Sequence, residues 1–260
     1  MPWLTGTAFL HSVMIQEKRN MLKIWNVVLI IMTFGLTIIG TFLTRSGIIN
    51  SVHSFTQSEI GPAFLIYLTL ILVIGFALLF KRIQMLESEH KIESVLCREN
   101  VFLAQNVLLV GIAFTVLLGT TFPLLAEAVR GTKLSIQAPF FNTVTAPMGY
   151  ALLFLMGIGM LISWRKSNLE GLRRSFQNPI ILATVGTIFL TWLLWEKNLR
   201  WDVYITFWSA IFVTSIIFFE LVKASLVKRR QTETNFLKSL FYVIFHNRRR
   251  YGGFLIHFGA

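Results

Sequence analysis

The chain has 260 residues, 55% of them hydrophobic and only 14% charged, with a mean hydropathy of +0.66. That composition excludes an ordinary soluble domain and defines a polytopic membrane protein. A net charge of +12 could suit nucleic acid, but the basic residues stand in short clusters between apolar runs, the pattern of cytoplasmic membrane loops, so nucleic acid is disfavoured as a partner.

A spanning helix needs ~20 mostly apolar residues, and six stretches meet that length: 26–43, 62–80, 101–122, 146–163, 179–195 and 203–219. Two further apolar runs, 1–14 and 252–260, are shorter and read as partial helices. The predicted fold is therefore all-α, a polytopic transmembrane helix bundle with six full spans and two partial terminal helices, in one membrane domain over 1–260. No basic n-region precedes the first run, so it reads as a helix entered part-way rather than a signal peptide. The expectation is an internal part of a longer protein.

The loops fix the topology. Segments 15–24, 81–100, 164–178 and 223–251 carry 19 of the 24 Lys and Arg, and segments 44–61, 123–145 and 196–202 carry the other five. The basic set faces the cytoplasm. Segments 44–61 and 123–145 are then extracytoplasmic loops, and the basic loop 223–251 holds an apolar stretch, 235–246, that reads as an interfacial helix anchored by anionic membrane lipid. Gly111, Gly119, Gly157 and Gly159 fall inside spans, where close helix packing accounts for them.

Of the five histidines, His90 lies in a charged cytoplasmic loop and His246 borders the Arg248-Arg249-Arg250 run, both surface positions. His11 and His257 differ, because an ionisable group within the bilayer is costly and marks a functional site by default. His11 lies seven residues before Lys18 and His257 seven after Arg250, so each is roughly 10 Å inward from a cytoplasmic basic residue. A neutral imidazole bonded to a neighbouring helix is the plain alternative. Two facing imidazoles among Phe, Leu and Ile suit a haem iron; zinc would want more ligands. Outside the bilayer, His53 reads as a surface residue, and Arg45 either snorkels to the interface or pairs with a carboxylate such as a haem propionate. Cys97 is the sole cysteine, so the chain has no Cys-x-x-Cys-His attachment motif of its own.

Three motifs carry a resemblance to a known family. They are Met1-Pro2-Trp3-Leu4-Thr5-Gly6-Thr7-Ala8-Phe9-Leu10-His11-Ser12; then Gly40-Thr41-Phe42-Leu43-Thr44-Arg45-Ser46-Gly47 with Ser51-Val52-His53-Ser54-Phe55; and Arg249-Arg250-Tyr251-Gly252-Gly253 with His257. In this order they resemble the CcmF family, the membrane haem lyase subunit of the cytochrome c maturation system, over essentially the whole chain.

The resemblance implies that His11 and His257 are axial ligands of a resident haem b, with His53 one of two outer histidines holding the haem to be transferred and Arg45 beside it in the catalytic region. It implies as partners the haem chaperone CcmE, an apocytochrome c and other maturation subunits. The setting it implies is a bacterial inner membrane, with the mitochondrial inner membrane as the other home of such proteins. In the family the resident haem is proposed to keep the delivered iron reduced. The tryptophan-rich WWD segment and the first outer histidine are not in this sequence, so a lone lyase activity is not expected of it. The alternatives are a haem or small-molecule transporter and a non-catalytic scaffold of the same assembly.

Overall fold

The computed structural model describes residues 1–45, 61–88, 92–131, 136–194 and 199–259. Among these the regular structure is entirely helical: α1 Pro2–Arg19, α2 Lys23–Arg45, α3 Gly61–Lys81, α4 Arg98–Arg130, α5 Ala138–Leu161, α6 Leu169–Leu193, α7 Trp201–Thr232, α8 Phe236–His246 and α9 Arg248–Gly259, with a 3-10 turn over Ile83–Leu86. Six of them, α2 to α7, are long and apolar enough to cross a membrane, and each contains most of one predicted span. Their free faces confirm the solvent: on α3, Ile66, Val73 and Phe80 are all exposed, which water would not tolerate and lipid does. The chain is a multi-pass membrane protein.

The helices outrun the apolar stretches. The outer loop expected over 123–145 is largely helical, because α4 continues to Arg130 with Pro123 inside it and α5 begins at Ala138. Leu, Ala and Glu after Pro123 favour helix. What stops α4 is Gly131, whose positive φ of 68° turns its N–H back to Glu127 O at 2.9 Å. Likewise the loop expected over 223–251 holds the last turns of α7, all of α8 and the start of α9. The helix expected within 235–246 is α8.

Contacts group the chain into two compact units, Met1–Val95 with Glu99–Gly149, and Leu96–Arg98 with Tyr150–Ala260. In the first, α1 begins with Pro2 in its first turn and ends at left-handed Asn20, which returns the chain into α2. The buried residues of α1, Thr5, Ala8, Ser12, Ile15 and Arg19, recur every three or four positions and form one packed stripe. Its small members allow close approach: the Thr33 hydroxyl on α2 lies 2.9 Å from the Thr5 hydroxyl. Between α4 and α5, a Cβ on Gly119 would lie 2.6 Å from Phe141 Cε1, so a larger residue would have to displace the Phe141 ring.

In the second unit the core is Met160, Ala183, Phe212, Val213, Ile216, Ile217, Val243, Tyr251 and Phe254. Phe212 is its hub, stacked against Trp208 at 5.1 Å, Phe154 at 5.9 Å and Phe176 at 6.2 Å between centroids. Lys228 lies 4.2 Å over the Tyr242 ring and Arg250 pairs with Glu220. Higher numbers in α8 and α9 thus meet lower numbers in α7, so this segment runs back along α7.

Candidate functional site

His11 is half-buried at the edge of the α1 stripe, with Nδ1 enclosed by protein. Its ring stacks on Phe102 of α4, centroids 5.2 Å apart and planes within 18°. One turn along α4, the fully buried Asn106, with its amide nitrogen turned to the carbonyls, donates to Ala8 O at 3.1 Å and Phe102 O at 3.3 Å. The same two helices are tied at the basic end of α1, where Arg19 Nε meets Glu99 Oε1 at 3.2 Å and Arg19 also pairs with Glu93. Arg19 and Glu99 are 7% and 3% exposed, so their attraction offsets part of the cost of burying both charges. His11 is held between two polar ties, one turn before it and two turns after it.

His257 is half-buried on α9. Its Nδ1 lies 2.6 Å from Gly253 O; a carbonyl only accepts, so Nδ1 carries the proton and Nε2 the lone pair. That is the tautomer of a histidine that ligates metal through Nε2. Gly253 is on the same face one turn back, and a Cβ there would meet nothing within 4 Å, leaving open space beside the imidazole. Tyr251 and Phe254, buried against α7, and the Arg250–Glu220 pair hold the start of α9.

The two histidines belong to different units, and each is described in its own. Arg45 is the exposed last residue of α2, following Thr33, Thr37, Thr41 and Thr44, whose hydroxyls bond to the carbonyls one turn back. His53, predicted for transferred haem, lies outside the described residues, as does His90. His246 is exposed and stacked on Tyr242 at 5.1 Å. Among the described residues no three His, Cys, Asp or Glu side chains gather as a metal cage. Single imidazoles fit haem iron, which brings four nitrogens of its own.

Phe102 and Asn106 escape a reading of the sequence that treats 101–122 only as an apolar span. The available signal is the Gln105-Asn106 pair, two amides where hydrocarbon penalises them.

The fold defines a multi-pass helical membrane protein that carries half-buried histidines on two of its helices. No family model matches the chain. It is 35% identical over 213 residues to the cytochrome c-type biogenesis protein CcmF of Pseudomonas fluorescens, covering 82% of this chain and 32% of that protein. It is 40% identical over 172 residues to CycK of Rhizobium meliloti, 66% of this chain and 25% of that one, and 36% identical over 199 residues to CcmF of Escherichia coli, 75% and 29%. The solved structure of a cytochrome c haem lyase CcmF superposes with a TM-score of 0.70 and 31% identity over 99% of this chain and 35% of that chain. The chain belongs to the CcmF family of cytochrome c-type biogenesis proteins, and it spans a quarter to a third of the length of these relatives.

Proposed function

We propose that this chain is part of a membrane haem lyase that attaches haem covalently to apocytochrome c, in a bacterial inner membrane. His11 and His257 would hold a resident haem b, and His53, with Arg45 nearby in sequence, would serve the haem being transferred. The observation that carries this reading is the His257 tautomer, with Nδ1 committed to Gly253 O and open space over Gly253. The family membership and the similarity to a solved haem lyase support it.

A resident haem would supply a redox-active iron able to keep the delivered haem iron ferrous. The chain's own residues orient. Phe102 fixes the plane of the His11 ring, and Gly253 fixes the proton of His257 on Nδ1. Arg45 supplies a cation for a propionate. Attachment adds each thiol of a Cys-x-x-Cys-His motif across a haem vinyl, so sulfur bonds to one vinyl carbon and the proton ends on the other. CcmE delivers the haem, and other maturation subunits complete the assembly. A transporter would want helices broken at mid-membrane, whereas α2, α3, α6 and α7 run unbroken.

The test is the absorption spectrum of purified full-length protein. His11→Ala and His257→Ala should each abolish the b-type bands, while His53→Ala should keep them and lose cytochrome c formation. Retained bands in either of the first two variants would overturn the axial assignment.

A further inference from the structure

A second recess lies on the other side of α9. Helices α7, α8 and α9 enclose a cavity of about 650 Å³ walled by Phe218 and Leu221, by Phe245, and by Arg248, Leu255 and Phe258. The wall is almost wholly apolar, yet its side chains are open: Phe218 is 59% exposed and Leu255 70%. At ~3.6 residues per turn, His257 points about 160° round α9 from Leu255, so this recess is separate from the face proposed for haem.

The lining suits one ligand class. The recess follows α9 from Arg248 past Leu255 to Phe258, an apolar wall with a cation at one end. Arg248 stands at the end that charge patterning assigns to the cytoplasm. Its Nε donates to Phe245 O at 3.1 Å, and its guanidinium lies 5.8 Å over the Phe245 ring. This anchors the side chain at the mouth while the terminal nitrogens keep their four N–H donors. Arg249 follows Arg248, Lys228, Arg229 and Arg230 lie toward the same end of α7, and the nearby acid Glu220 is paired with Arg250, a positive balance that favours a negative headgroup.

We propose that the α7–α8–α9 recess binds one anionic phospholipid of the cytoplasmic leaflet, its phosphate on Arg248 and an acyl chain between Phe218, Leu255 and Phe258. The lipid completes the packing of α8 and α9 on α7. It thereby steadies the helix that carries His257.

The experiment is native mass spectrometry of the full-length protein released from membranes, with add-back of phosphatidylglycerol or phosphatidylcholine. Wild type should retain one phosphatidylglycerol in preference to phosphatidylcholine. Arg248→Gln should lower retention by about tenfold, as expected for losing a charge-assisted phosphate contact. Leu255→Trp, which fills the recess, should do the same, and Arg229→Gln should not. Equal retention of both lipids, or retention unchanged in Arg248→Gln or Leu255→Trp, would overturn the proposal. A photo-crosslinker at position 255 gives an independent answer: capture of lipid supports it, and capture of another protein segment overturns it.

Discussion

The His11 imidazole lies flat against Phe102, 5.2 Å between centroids and 18° between planes. The ring plane of a ligating imidazole governs its overlap with iron, so if His11 holds the proposed haem, this stack should tune it. Phe102→Leu should keep the b-type bands but shift the electron paramagnetic resonance signature of the oxidised haem, and Phe102→Tyr should restore it. Such stacks contribute about 0.5–1.5 kcal/mol, so loss of fold is not expected. An unchanged signal in Phe102→Leu would show that the stack does not set the ring.

Asn106 tests the tie one turn before the histidine. Asn106→Leu keeps the branched shape, though not the volume, and removes the bonds to Ala8 O and Phe102 O, which should cost at least about 1–2 kcal/mol, read as a lower Tm in detergent. Asn106→Asp should cost more, since it brings a carboxylate to a fully buried position. The reverse order would place Asn106 in contact with water.

The Arg19–Glu99 pair makes a prediction about sign. Arg19→Met takes the guanidinium away from the buried Glu99 carboxylate and should cost up to about 3–5 kcal/mol. Adding Glu99→Leu should recover most of that loss, because the apolar pair carries no desolvation penalty. Simple additivity in the double variant would mean that the charges are solvated independently.

Hydropathy was enough to find the spans, since all six apolar runs lie within or largely within a spanning helix. It was not enough to end them. The end of α4 is set by a left-handed glycine at position 131, and α7 continues through Lys223 to Thr232 because α8 packs along it. Histidines in apolar runs were legible as candidate ligands because ionisable groups are rare there. Phe102 was not, being one of 24 phenylalanines, and only the approach of α4 to α1 distinguishes it. The Nδ1 bond of His257 depends on a backbone carbonyl, which no residue type announces.

That bond leads to a prediction that separates function from stability. At Gly253 a Cβ would meet nothing within 4 Å beyond its own helix backbone and chain neighbours, and replacing glycine inside a helix typically gains up to about 1 kcal/mol. Gly253→Leu should therefore fold at least as well as the parent, and its carbonyl should still accept from His257. The added side chain would instead crowd the imidazole on the side of α9 along which the proposed haem would lie. The expected result is an unchanged or higher Tm with the b-type bands lost, in the full-length protein. If the bands persist at full strength, haem does not approach across Gly253, and the orientation proposed for His257 must be abandoned.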